Sequence, residues 1–369
     1  MLKGPFVDLK AQYLTIQDEI DSSIRYVIDN TAFIGGKPVN EFEIAFANLY
    51  GIKHCISVAN GTDSLYIIMK MLGIGTGDEV ITVANSWISS SETISQTGAK
   101  PVFIDIDPDY YSLNEQLLEA AITSKTKAII PVHLQGQAVN MGEVMRIANN
   151  YGIPVIEDCA QSHFTEFNGQ RVGTFGVAAS FSFYPGKNLG AYGDAGAIIT
   201  NNSDLAEKCK MFARHGALKK HEHQIEGINS RMDGLQAAIL SAKLPYILQW
   251  TKARINCADF YNNSLSNISQ IVLPKRREKT LHSYHLYVIR AENRDLLATF
   301  MREKNIETAI HYPTALPNLK AYEYLGYRAD DFPIATAYQR QILSLPIYPE
   351  LTRVQMEYVA ECIKSFYSK

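Results

Sequence analysis

Between residues 50 and 200, short apolar runs alternate with longer segments of helical period. The runs are HCISV at 54, EVITVA at 79, PVFIDI at 101, AIIPVH at 128, IPVIED at 153, AASFSF at 178 and GAIIT at 196. Each has the length and β-branched content of a buried strand. The stretches between them, for example 62–72, 114–122 and 140–150, are long enough for crossover helices. This α/β rhythm predicts a mostly parallel seven-stranded sheet with helices on both faces. In such a sheet, sites lie at the carboxyl ends of the strands.

Outside that region, residues 8–30 and 38–50 read as helices split by the turn FIGGKP. A long helical pattern from Asp233 to about Leu265, interrupted at Pro245, links a large domain (1–250) to a smaller C-terminal α+β domain (251–369). In the smaller part, SYHLYVIR at 283 reads as a strand and NRDLLATFMREKN at 293 as a helix. The closing LTRVQMEYVAECIKSFY is an amphipathic helix with Thr352 near its cap, expected to pack on the large domain.

A chain of 369 residues exceeds what one core normally holds, and 46% hydrophobic with 20% charged residues is an ordinary globular balance. The net charge of -3 excludes a field that would draw in nucleic acid or an anionic membrane. A phosphate-bearing small molecule stays open, because it needs only a few local donors. The five widely spaced cysteines, without a CxxC, fit reduced thiols and no metal site. MLKGPFVDLK lacks a signal peptide's apolar stretch, and no run reaches the roughly 18 apolar residues of a membrane span. The expectation is a cytoplasmic enzyme.

Candidate chemistry centres on Lys187 in SFYPGKNLGAYGD and Asp158 in VIEDCAQSH. An amine and a carboxylate on successive strand ends suit pyridoxal 5'-phosphate (PLP). The lysine binds the aldehyde covalently, and the acid keeps the pyridine nitrogen protonated. Most lysines are simply exposed, and Lys187 has that reading too. Against it, Pro185, Gly186, Gly190 and Gly193 forbid regular structure around it. Phe181, Phe183 and Tyr184 would wall the amine with apolar surface and lower its pKa. Upstream, Gly61 and Thr62 of ANGTDSL would open a helix and offer amides and a hydroxyl to a phosphate, and Ser182 could add another hydroxyl. Alone, a Gly-Thr helix start is usually only a cap. Gln161 could reach the cofactor ring, and Trp87 could stack on it or pack in the core. His163 reads either as a site residue or as a satisfied core histidine.

Together these residues carry a resemblance. FVDLKAQY, GKPVNEFE, NGTDSL, PVHLQGQ, EDCAQ, SFYPGKNLGAYGD, NSRMDGLQAAIL and IHYPTALP, spread from Phe6 to about Phe366, resemble the DegT/DnrJ/StrS family of PLP-dependent sugar aminotransferases. That resemblance implies fold type I, as in aspartate aminotransferase, and a homodimer with shared active sites. It implies transfer of an amine from L-glutamate, leaving 2-oxoglutarate, to a nucleotide-linked keto sugar. Carried over by residue, Lys187 is the covalent lysine and Asp158 the partner of the ring nitrogen. Gln161 and Trp87 flank the ring, and Gly61, Thr62 and Ser182 hold the phosphate. Asn229 is implied to reach the phosphate of the neighbouring subunit; by itself it reads as a helix cap.

The lysine segment is similar to the branch that aminates C3. YHLYVIR and IHYP are similar to enzymes that make dTDP-3-amino-3,6-dideoxyhexoses for cell-surface glycans such as O-antigen. UDP-linked 3-keto sugars and C4-keto sugars are the alternatives. Tyr184, His311 and Tyr312 are the candidate sugar contacts beside His163. A sugar dehydratase of this fold would carry histidine at the lysine position, and a non-catalytic regulator would have lost the lysine. Two departures stand out: Gln135 in HLQG where relatives often have HLYG, and Ala195 in place of a glycine.

Overall fold

The computed structural model describes residues 4–368. The seven apolar runs form β1 (His54–Val58), β2 (Glu79–Val83), β3 (Lys100–Ile104), β4 (Thr126–Ile130), β5 (Ile156–Asp158), β6 (Ala178–Ser182) and β7 (Gly196–Thr200). Pairing gives two ladders, β1-β7-β6-β5 and β3-β2-β4. They join through parallel bridges Ile129↔Val155 and Val132↔Asp158, so one sheet runs β1-β7-β6-β5-β4-β2-β3. Only β7 is antiparallel to its neighbours. The mostly parallel seven-stranded sheet of fold type I is therefore present.

The antiparallel strand matters for the site. Gly196 of β7 pairs with Val58 of β1 on one side and Ser182 of β6 on the other. Since β1 and β6 run the same way, both finish at one edge of the sheet, and Asp158, opposite Ser180, ends β5 at that edge too.

The first helices are α1 (Leu9–Thr15), α2 (Gln17–Asp29) and α3 (Gly36–Tyr50). Helix α4 (Gly61–Met71) follows β1; its Asn60 cap accepts the Asp63 amide, and Leu65, Ile67, Ile68 and Met69 are buried. α5 (Ser89–Thr97), α6 (Met141–Tyr151) and α7 (Ser203–Phe212) complete the helices packed on the sheet. The expected helix at 114–122 is instead two short 3₁₀ turns, Glu115–Leu117 and Glu119–Ala121. Leu118 is buried but Leu117 is exposed, so no apolar stripe of helical period can seat there.

α8 (Gly234–Lys243) and α9 (Ile247–Leu265) flank a 3₁₀ turn at Pro245. Beyond them lies a three-stranded antiparallel sheet, β8 (Ile271–Val272), β9 (Tyr287–Ala291) and β10 (Ile342–Leu345), in the order β8-β9-β10. The expected strand at 283 starts only at Tyr287, because residues 283–286 turn back against Gly136. α10 (Arg294–Glu303) and α12 (Arg353–Tyr367) cover this sheet, with α11 (Pro333–Tyr338) between them in sequence. Thr352 caps α12 in a capping box with Gln355. Contrary to expectation, α12 packs on α9 and α10: its Val359, Ala360 and Ile363 share a core with Tyr261, Leu297 and Met301. Residues 315–335 do pack on the large-sheet core, where Tyr322, Tyr327 and Phe332 meet Phe103 edge-on.

Candidate active site

Asp158 sits where β5 ends, buried, with its backbone paired to Pro131 and His133. Its Oδ2 accepts from Ser90 Oγ at 2.8 Å and its Oδ1 from the Ala160 amide at 3.1 Å. Burial raises its pKa, while these hydrogen bonds and the charge of Lys187 pull it back down. Beneath it, Glu157 accepts the amides of Gly173, Phe175 and Gly176 and faces His133 Nε2 at 3.1 Å. His133 Nδ1 accepts the Val139 amide, so Nε2 carries the proton. His133, Glu157 and Cys159 come close enough to hold a metal ion, but this tautomer leaves no imidazole lone pair for one.

Lys187 is held at the tip of a closed loop. Its amide donates to Tyr184 O at 2.8 Å, and the Ala191 amide returns to Phe183 O at 2.8 Å. Gly190 is required there, since a Cβ would lie 2.2 Å from Pro185 O. The following Asn188 anchors the loop to the smaller sheet's approach, donating to Ser283 O and facing His285 Nδ1. Burial drives the Lys187 amine down to about 8, opposed by Asp158. The amine donates no hydrogen bond to another described residue.

Neutral imidazoles surround that amine. Burial, then the Lys187 charge, takes His163 to about 3 and His311 to about 4, and holds His285 well below its ordinary value. His163 is fully buried between Phe181 and Phe183, and its ring nitrogens approach the Ser182 backbone without closing a hydrogen bond. His311 Nδ1 pairs with Ser344 Oγ at 2.8 Å. Tyr312 Oη accepts from Gln161 Nε2 at 2.8 Å, and Gln161 Oε1 accepts the Gln135 amide at 2.7 Å. Gln135 has a positive φ of 62°, which turns that amide toward Gln161, while its own Nε2 is buried without a partner. Trp87, 59% exposed, tilts against Tyr312 with ring centroids 5.7 Å apart, so core packing does not explain it.

At the other end of the site, α4 begins beside β6. A Cβ on Gly61 would lie 2.8 Å from Ser182 Cβ, so only glycine lets the helix start so close. Thr62 Oγ1 meets Ser89 Oγ at 2.7 Å. The start of α5 thus touches both Thr62 and, through Ser90, Asp158. A helix start edged by hydroxyls suits a phosphate. A buried acid and a low-pKa amine suit a pyridine ring and its aldehyde. These residues fit PLP.

Tyr184, 60% exposed, and Asn229, exposed on the segment that pairs with Arg214, stand outside this cluster. Sequence reasoning missed Ser90, Asn188 and His285. Asn188 could have been found from its place beside Lys187, but Ser90 and His285 carry no sequence signal of their own. One prediction follows from the amine's setting. In cofactor-free protein, an amine-reactive probe read by peptide mapping should modify Lys187 with a midpoint near pH 8. A midpoint near the ordinary lysine value of about 10.4 would contradict that setting.

The DegT/DnrJ/EryC1/StrS aminotransferase family model matches residues 14–364. A Geobacillus stearothermophilus protein named "Pleiotropic regulatory protein" is 43% identical over 98% of both chains. The dTDP-3-amino-3,6-dideoxy-alpha-D-galactopyranose transaminase of Aneurinibacillus thermoaerophilus is 42% identical over 98% of this chain and 99% of its own. The UDP-2-acetamido-2-deoxy-3-oxo-D-glucuronate aminotransferase of Pseudomonas aeruginosa is 41% identical over 97% and 99%. Among solved structures, S. venezuelae DesV in complex with a ketimine intermediate superposes with a TM-score of 0.98 at 36% identity, covering 100% of each chain. NtdA from Bacillus subtilis, with bound cofactor PMP, gives 0.92 at 30% identity, over 100% of this chain and 86% of its own.

Proposed function

The chain belongs to the DegT/DnrJ/EryC1/StrS aminotransferase family, PLP-dependent enzymes, and we propose that it aminates C3 of a nucleotide-linked 3-keto sugar with L-glutamate as donor. The substrate we favour is a dTDP-linked 3-keto-6-deoxyhexose, made for a cell-surface glycan in the cytoplasm. The observation that carries the chemistry is that buried Asp158 ends β5 beside Ser180 of β6, the strand that leads into the Lys187 loop, so that the two charges act on one another.

When bound, PLP supplies an aldehyde that exchanges amines and a ring that takes up electron density. Lys187 Nζ would hold the aldehyde carbon; freed from it by glutamate, the amine would take up the Cα proton, and in the second half-reaction it would give a proton to sugar C3. An amine near 8 can do both at neutral pH, which an ordinary lysine cannot do well. Asp158, desolvated and fixed by Ser90 and Ala160, would keep the pyridine nitrogen protonated through a charge-assisted hydrogen bond. Gly61, Thr62 and Ser182 would hold the phosphate, and Gln161 and Trp87 would border the ring. His163, His311, Tyr312 and the exposed Tyr184 face the sugar.

The active unit in this reading is a homodimer with shared sites, in which Asn229 reaches the partner's phosphate. Its exposure supports that role, as do the exposed apolar side chains of Phe33, Ile34, Leu218 and Ile225. Among the described residues no helix is long and apolar enough to cross a membrane.

A second reading replaces dTDP by UDP, and the 41% identity with the P. aeruginosa enzyme favours it nearly as well. Running the reaction backwards separates the two. The enzyme is expected to form glutamate from 2-oxoglutarate and a dTDP-3-amino-3,6-dideoxyhexose at least about tenfold faster than from a UDP-3-amino sugar. The reverse preference would select UDP, and turnover only of 4-amino sugars would refute C3 chemistry.

A further inference from the structure

Helix α8 grips the Lys187 loop with two side chains from one face. Lys243 is fully buried; its Nζ donates to the Gly190 carbonyl at 2.7 Å and lies 4.2 Å from the Tyr192 ring centroid. Two turns earlier, Gln236 Oε1 accepts the Tyr192 amide at 2.8 Å. Its Nε2 sits where a Cβ on Gly193 would come within 3.0 Å. No described carboxylate forms an ion pair with Lys243, and Glu350 acts on it only from a distance. Burying a cation is unfavourable unless something compensates it, and a methionine would fill the same space without that penalty. Here one carbonyl and one ring face do the compensating.

The carbonyl that Lys243 holds is mechanically linked to the reacting amine. Gly190 packs on Pro185 O so closely that no side chain fits. The same short loop is closed by Ala191 N–H on Phe183 O and by Lys187 N–H on Tyr184 O. Displacing Gly190 therefore displaces the turn that presents Lys187, three residues away.

We propose that Lys243 is a positioning residue for Lys187, its ammonium locking the Gly190 end of the loop with Gln236 as a second tether. This rests on the reading of Lys187 as the reacting amine. Small misplacements of a reacting group lower rate more than affinity.

Lys243→Met keeps the length of the stem and removes the donor. It is expected to lower kcat by about 10- to 100-fold while KM for both substrates stays within about threefold. In the cofactor-free protein, the modification midpoint of Lys187 should rise by about one pH unit, because a looser loop hydrates the amine. Should Lys243→Met fail to fold, the half-buried Gln236→Met carries the test, with shifts in the same direction and smaller. A folded variant with lowered melting temperature, but with kcat and the Lys187 midpoint unchanged, would make these residues packing only and overturn the proposal. Covalent cofactor retained in Lys187→Ala would instead overturn the reading of Lys187, whatever Lys243→Met does.

Discussion

Lys187→Ala is expected to lower turnover by roughly 10⁴-fold or more and to leave PLP bound without a covalent link. Both losses come from one atom, because the same Nζ holds the aldehyde and carries the proton. No described neighbour could take over. The imidazoles that feel its charge are buried and held acidic, His163 near 3, His311 near 4 and His285 well below its ordinary value. The fold should tolerate the change, since the amine donates no hydrogen bond to a described residue and the loop is closed by backbone contacts. Steady-state assay and the loss of the yellow absorbance of lysine-bound cofactor would check the two halves separately. Turnover within tenfold of wild type would end the assignment.

Asp158→Asn is expected to lower kcat by about 10²- to 10³-fold, in the range typical of losing one preorganised electrostatic partner. An amide cannot hold a proton on the pyridine nitrogen as a carboxylate does. The stability effect should run the other way in the cofactor-free protein. Burial raises the pKa of Asp158, so the folded state binds its proton more tightly than the unfolded chain. Its contribution is then fully present below the ordinary aspartate value of about 3.9 and is lost as pH rises through the folded value. At neutral pH the buried charge destabilises the empty protein, and Asp158→Asn should melt no lower than wild type. With PLP bound, the order should reverse, because the ring nitrogen supplies the missing counter-charge. Melting curves with and without cofactor at pH 7.5 would check the crossing.

Much of this was legible because apolar runs and strand ends are local features. Each large-sheet strand is a mostly buried apolar run, broken only by half-buried or exposed positions such as Lys100 in β3 and Lys127 in β4, so its position could be read directly, and a parallel sheet puts its chemistry at strand termini. Asp158 lies at such a terminus, and Lys187 in the loop that follows β6. The failures are cases where local pattern gives no signal. The stretch 114–122 has helix-forming residues but a single buried leucine, and tertiary packing left it as 3₁₀ turns. The final helix carries a clear apolar stripe, yet nothing in the stripe says which sheet will receive it. Lys243 reads as an ordinary helical lysine in AAILSAKLP, and only the folded chain brings Gly190 to it. Ser90 is one serine among three, distinguished only by the aspartate it meets. Asn229 faces solvent in a single chain, and its expected role needs a second copy.

The most direct measurement is to reduce the PLP-loaded enzyme with borohydride and locate the pyridoxyl group by peptide mass spectrometry. One modified residue is expected, Lys187, with the label prevented by prior incubation with glutamate. A label on Lys243 or any other lysine, or none at all, would contradict it.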